Sequence, residues 1–147
     1  MVTRLALGLV CFLLSTHTVV AEFTAECRRI CLDPFDQNIL LTECTVDGSA
    51  KDNRFNDGQF QWSEFDLNQI LAFSNGHFEY QQKGLIFANG SPCQQCFVDE
   101  HAVLICLCGG STPVVDLNQN LFDVVGGLCF VNAYFGPICG KATARRC

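Results

Sequence analysis

The sequence predicts an all-β domain of two similar halves, a bilobal fold of tandem repeats with short helical turns and disulfide staples. Three observations carry that expectation: a block that recurs fifty residues on, short apolar runs bounded by turn residues, and an even set of cysteines in a chain with an export leader. Asp66-Leu67-Asn68-Gln69-Ile70-Leu71 returns as Asp116-Leu117-Asn118-Gln119-Asn120-Leu121. Gly76 and Gly126 each follow ten residues after the Asp, and an apolar strand comes next, at 77–80 and 127–130. Upstream, Cys44-Thr45-Val46-Asp47-Gly48-Ser49 matches Cys106-Leu107-Cys108-Gly109-Gly110-Ser111, and residues 27–33 match 93–99. Agreement of order, spacing and identity in three blocks sets a repeat apart from a coincidence of turn chemistry.

Residues 1–21 read as a signal peptide. Arg4 is a short basic region, residues 5–14 form a ten-residue apolar run, and Val19-Val20-Ala21 places small residues at the cleavage site. Ten apolar residues do not span a bilayer, which takes about 20, and no later run approaches that length. The expectation is a secreted, extracellular protein without a membrane span. Removing 21 of the 147 residues leaves 126, and the loss of Arg4 takes the net charge from -6 to -7. An acidic chain with few clustered Lys and Arg is a poor partner for a phosphate backbone, so nucleic acid is set aside.

Cys11 leaves with the leader, and ten of the 11 cysteines remain. Ten cysteines pair in 945 ways, and spacing alone selects none. Cys93-x-x-Cys96 followed by Cys106-x-Cys108 also offers four thiolates to zinc, but export favours disulfides over metal. No metal or other cofactor is expected.

The elements follow from pattern. Residues 103–107 form a buried strand, and residues 39–44 are its counterpart in the first half. Asn75-Gly76 and Gly126-Gly127 are two-residue hairpin signals, because a type I′ turn needs positive φ twice. Asp-Leu-Asn-Gln-x-Leu is too short for a free-standing helix, so it reads as one helical turn capped by its Asp side chain. The first half carries a polar insertion, about residues 50–61, expected at the surface as decoration. Its Asp and Asn residues lack the spacing of a calcium loop. The tail, 131–147, holds Cys139 and Cys147 and reads as an extension stapled to the domain.

Together these residues resemble the cyanovirin-N homology family. The resemblance is carried by Phe23, Cys27, Leu32, Leu40, Cys44, Gly48, Asp66, Leu67, Asn68, Gly76, Phe78 and Tyr80, and in the second repeat by Cys93, Val98, Cys106, Gly110, Asp116, Leu117, Asn118, Gly126, Leu128 and Phe130. It covers residues 22–130, with repeat 1 at about 22–80 and repeat 2 at about 87–130. Asn89 stands where the first repeat has Phe23, and Phe73 stands where the family has Asn before the hairpin Gly.

The resemblance implies a cyanovirin-N-like fold in which the two repeats exchange strands; exchange between two copies would give a domain-swapped dimer. It implies disulfides Cys27–Cys44 and Cys93–Cys106, and is silent on Cys31, Cys96, Cys108, Cys129, Cys139 and Cys147. It also implies a shallow sugar pocket in each lobe. In the first lobe this falls on Thr24, Ala25 and Glu26, then Thr45 and Asp47, then Asp123, an acidic set of hydroxyls and carboxylates suited to sugar hydroxyls. The second falls on Ser74, Asn75 and Ser91, with Leu107 and Cys108 where polar groups are expected, and reads as degenerate.

The implied function is a secreted, non-enzymatic lectin for mannose-type or related glycans, with a glycan or glycoprotein as partner. The alternative is a secreted, cysteine-rich interaction or effector-type protein that keeps the scaffold without sugar recognition. His77 and His101 read as solvated, Gly-x-Ser-x-Gly is absent, and Asn89-Gly90-Ser91 is the single glycosylation sequon, with Pro92 behind it. Phe60 and Trp62 form either a stacking platform or part of the core, and 13 Phe favour the core.

Overall fold

The computed structural model describes residues 24, 27–46, 60–87, 90–123, 127–132 and 136–147. Residues 1–21, expected as a signal peptide, Glu26, Asp47, Asn89, Gly126 and residues 50–59 of the insertion lie outside the described residues. Phe60 and Gln61, grouped with the insertion above, instead begin a strand.

In the first repeat β1 (Cys27–Leu32), β2 (Ile39–Thr45) and β3 (Phe60–Asp66) form an antiparallel sheet, followed by the hairpin β4 (Leu71–Ser74) and β5 (His77–Tyr80). The second repeat repeats this plan with β6 (Cys93–Val98), β7 (Val103–Cys108) and β8 (Val114–Asp116), then β9 (Leu121–Asp123) paired with β10 (Leu128–Asn132). β10 runs past residue 130, and the tail adds β11 (Gly136–Cys139) to it and β12 (Lys141–Ala142) to β3.

The two Asp-Leu-Asn blocks form 3-10 turns, Leu67–Gln69 and Leu117–Gln119. Asp66 Oδ1 accepts the Asn68 N–H at 3.0 Å and Asp116 Oδ1 accepts the Asn118 N–H at 2.9 Å, so each Asp caps its turn. Asn75 and Gly76 have φ of 51° and 86°, the left-handed pair that the β4–β5 turn requires.

The buried side chains of both repeats form one cluster. Leu40, Phe65, Leu67, Ile70 and Leu71 of the first meet Leu104, Leu117, Leu121 and Phe130 of the second. Tyr80 of β5 joins the halves: its hydroxyl donates to the Asp116 carbonyl at 3.0 Å, and its ring stacks on Phe130 at 5.6 Å. Burial pushes the Tyr80 phenol up to about 12, so it remains a neutral donor. Trp62 is buried, which places it in the core rather than on a sugar platform.

Five disulfides staple the sheets, and one expected pair is corrected. Cys27 bonds Cys44, but Cys93 bonds Cys108 and Cys96 bonds Cys106, not Cys93 with Cys106. The reason is register. Cys27 lies opposite Cys44 and Cys93 opposite Cys108, and a bulge after Gln94 brings Cys96 to face Cys106. The structural counterpart of Cys44 is therefore Cys108, two residues beyond the cysteine that sequence comparison matched to it. The four cysteines weighed as zinc ligands are all consumed by these two bonds. Cys129 pairs with Cys139 across β10 and β11, and Cys147 reaches back 116 residues to Cys31. Closing loops of 10–17 residues contributes about 3 kcal/mol each by the chain-entropy model, and the longest close to 5 kcal/mol.

Candidate functional site

The bulge in β1 sets the geometry of the first lobe's site. Arg29 takes φ of 50° there, as Gln95 does at 48° in the matching bulge of β6, and the distortion turns Arg28 and Arg29 toward one carboxylate. Arg28 Nε donates to Glu43 at 2.9 Å and Arg29 Nε lies 3.7 Å from it, while the Arg28 guanidinium sits 4.0 Å above the Phe60 ring. Beside them, between the two repeats, is a cleft of 340 Å³ lined by Thr24, Arg28, Arg29, Asp99 and Glu100 among others. Cys27, Ile30 and Val98 give it an apolar floor, with donors on β1 and acceptors on the β6–β7 turn, groups a polyhydroxylated ligand can bridge.

The expected site residues are distributed as follows. Thr24 lines this cleft, and its N–H donates to Asn118 Oδ1 at 3.3 Å. Thr45, at the end of β2, is buried, and its hydroxyl has no hydrogen-bond partner among the described residues. Asp123 ends β9, opposite Leu128. Glu26 and Asp47 lie outside the described residues. Arg28, Arg29, Asp99 and Glu100 were missed by the sequence reading because they reach the cleft through a bulge and a turn from the other repeat. The one available signal was the Arg-Arg pair directly after Cys27.

In the second lobe, Ser91 accepts the Cys93 N–H at 3.2 Å and donates to the Ile86 carbonyl, so its hydroxyl is committed to its own loop. Ser74 and Asn75 sit at the tip of the β4–β5 hairpin, where the Asn75 carbonyl faces His77 Nδ1 at 3.3 Å. None of these bonds links Ser91 to Ser74 or Asn75. Cys108 is locked to Cys93, and Leu107 points to solvent.

A second charged constellation lies under the tail. Arg145 Nη1 donates to Asp33 Oδ2 at 2.9 Å and its Nε is 3.7 Å from Glu64, which also meets Lys141 at 3.1 Å. The Phe35 N–H, aided by the Arg145 charge, holds the Asp33 carboxyl below its usual value against the opposing effect of burial. Burial also pushes Glu64 up, but hydrogen bonds from Lys141 and Thr143 and the charges of Lys141 and Arg145 outweigh it and leave it lowered.

Among the described residues no group of three or more His, Cys, Asp and Glu is placed to hold a metal, and no helix is long and apolar enough to cross a membrane.

No family model and no curated protein matches the chain. Solved structures do. TbCVNH of T. borchii superposes with a TM-score of 0.54 at 22% identity, covering 74% of this chain and 98% of that one. GzCVNH of Gibberella zeae gives 0.55 at 18%, covering 74% and 96%. A MoCVNH3 variant in complex with (N-GlcNAc)4 gives 0.53 at 18%, covering 74% and 95%. The chain has the cyanovirin-N homology fold.

Proposed function

We propose that this chain is a secreted, lectin-like protein that binds mannose-type or related glycans without catalysis. The observation that supports it is the cyanovirin-N homology fold, shared with a designed lectin and with a variant bound to an N-acetylglucosamine tetramer. The site is the first-lobe surface of Thr24, Glu26, Thr45, Asp47 and Asp123, extended by Arg28, Arg29, Asp99 and Glu100 of the neighbouring cleft. Paired carboxylates and guanidinium groups suit vicinal sugar hydroxyls, which donate and accept together. A glycan array probed with the oxidised protein, followed by calorimetric titration, tests the reading. Binding to mannose or N-acetylglucosamine oligosaccharides supports it; no binding to any oligosaccharide at millimolar concentration overturns it.

The second reading, an interaction protein on the same scaffold, is favoured by the second lobe. There the Cys93–Cys108 bond and exposed Leu107 replace a polar pocket. Recovery of a protein partner insensitive to added mannose would select it.

A further inference from the structure

The two repeats expose the same sheet face to different fates. In the first repeat the ladder brings Cys31, Leu41 and Glu64 side by side across β1, β2 and β3. The tail covers this row: Cys147 bonds Cys31, Arg145 reaches Asp33 and Glu64, Lys141 meets Glu64, and β12 adds a strand to the edge of β3. Leu41 is fully buried as a result. Gly140 fits this contact because a Cβ there would stand 2.4 Å from the Glu64 carbonyl oxygen.

In the second repeat the equivalent row is Phe97, Ile105 and Val114 across β6, β7 and β8. Here no described segment covers it. Phe97 is 54% and Val114 59% exposed, and Leu107, two residues from Ile105 on the same face, is 44% exposed. β8 is an edge strand of its sheet, as β3 would be without the tail. The Cys106 N–H bonds the Pro113 carbonyl, so by antiparallel alternation the N–H and C=O of Val114 turn to the open edge. Pro113 has no N–H to offer, but its position faces β7 and leaves that edge intact.

The charge at the end of the row is also kept. Asp99 occupies the place of Asp33, and its Oδ1 caps the turn by accepting the His101 and Val103 N–H groups, as Asp33 Oδ1 accepts that of Phe35. Asp33 Oδ2 takes Arg145, whereas among the described residues no guanidinium bonds Asp99, and exposed Glu100 adds a second negative charge beside it.

We propose that this face of the second repeat is a docking surface for an extended, cationic segment of a partner protein, which adds a strand to β8, lays apolar side chains on Phe97, Ile105 and Val114, and sets an Arg on Asp99. The tail on the first repeat displays the chemistry of such an occupant, and complementarity to an acidic rim on a chain of net charge -6 selects its sign. The surface shares Asp99 and Glu100 with the cleft between the repeats, but Phe97, Ile105, Val114 and the open edge of β8 lie outside that cleft, so apolar docking and strand addition are read separately from glycan binding.

The test uses the oxidised protein, labelled with nitrogen-15. The probe is a synthetic peptide of residues 140–147 carrying Lys141→Val and Cys147→Leu, to match Val114 and Phe97. Expected are saturable amide shifts confined to Thr112, Val114, Phe97 and their neighbours. Binding should weaken at least about tenfold when the peptide carries Arg145→Glu and Arg146→Glu, and likewise in the protein variant Val114→Lys, whose exposed position spares the fold. Three results overturn the proposal: no shifts at millimolar peptide, equal shifts with the charge-reversed peptide, or concentration-dependent dimerisation without peptide that shifts the same amides, which would make a second copy the occupant.

Discussion

Asn118 holds Thr24. Its Oδ1 accepts the Thr24 N–H at 3.3 Å while its Nδ2 donates to the His101 carbonyl at 2.9 Å, so one largely buried amide ties the entrance of the first repeat to the second. Asn68 does the reciprocal service, its Oδ1 accepting the Phe87 N–H at 2.7 Å at the entrance of the second repeat. The Asn of each Asp-Leu-Asn block is thus a clasp between halves, and Asp and Leu supply its cap and its core anchor. Asn118→Ala should cost about 1–2 kcal/mol, because it removes two part-buried hydrogen bonds that tie the halves together. Urea unfolding of the oxidised protein measures the loss. Asn68→Ala should behave similarly, and an exposed control such as Gln82→Ala should change little.

The tail's ion pairs make stability fall in acid. Asp33 and Glu64 both titrate below their ordinary values of 3.8 and 4.5. A carboxylate with a lowered folded value lends stability that is fully present above its unfolded value and disappears as pH falls through the folded one. Denaturant midpoints should therefore be flat above about pH 5 and decline below about pH 4. Arg145→Ala removes a partner of both carboxylates. It should flatten that decline, and an unchanged acid slope would show that other carboxylates govern it.

Much of the fold was legible because the repeat is written in residues with narrow conformational roles. Asp66 and Asp116 cap, Asn75-Gly76 turns, and the apolar runs at 39–44 and 103–107 become β2 and β7. What was hidden depends on register. A bulge adds one residue to a strand and leaves composition untouched, so the shift that brings Cys96 opposite Cys106, next to the Cys93–Cys108 pair, has no local signature. β3 was hidden too: Phe65 faces the core while Trp62, on the opposite face, is buried beside the tail's Arg146, so the strand shows no simple alternation and adjoins a polar insertion. The cleft was read from one side only. Thr24 was found from its position before Cys27, whereas Asp99 and Glu100 arrive from the other repeat.

The corrected pairing has a direct chemical consequence. Five bonds remove ten hydrogens, and nested antiparallel pairing joins the outer cysteines, Cys93 and Cys108, and the inner ones, Cys96 and Cys106. The double variant Cys96→Ser/Cys106→Ser should carry no free thiol once oxidised, whereas Cys93→Ser/Cys106→Ser should leave Cys96 and Cys108 without their partners. Thiol titration under denaturing, non-reducing conditions distinguishes the two. No free thiol in the second variant together with two in the first would restore the Cys93–Cys106 pairing.

Thr45 offers a test that separates a structural hydroxyl from a ligand-binding one. It pairs with Phe60 at the open end of β2, next to Cys44, and its Oγ1 is buried without a partner. A buried, unbonded hydroxyl loses its water and gains nothing in return, so Thr45→Val should stabilise the free protein by about 1 kcal/mol. If the first-lobe surface takes a glycan through this hydroxyl, the same variant should bind the sugar about tenfold more weakly, corresponding to about 1.4 kcal/mol. Urea midpoints and calorimetric titration on one preparation read both effects. Stabilisation with unchanged affinity would remove Thr45 from the sugar site and leave Thr24 and the cleft between the repeats to carry it. Destabilisation would mean that the hydroxyl has a partner in the folded chain.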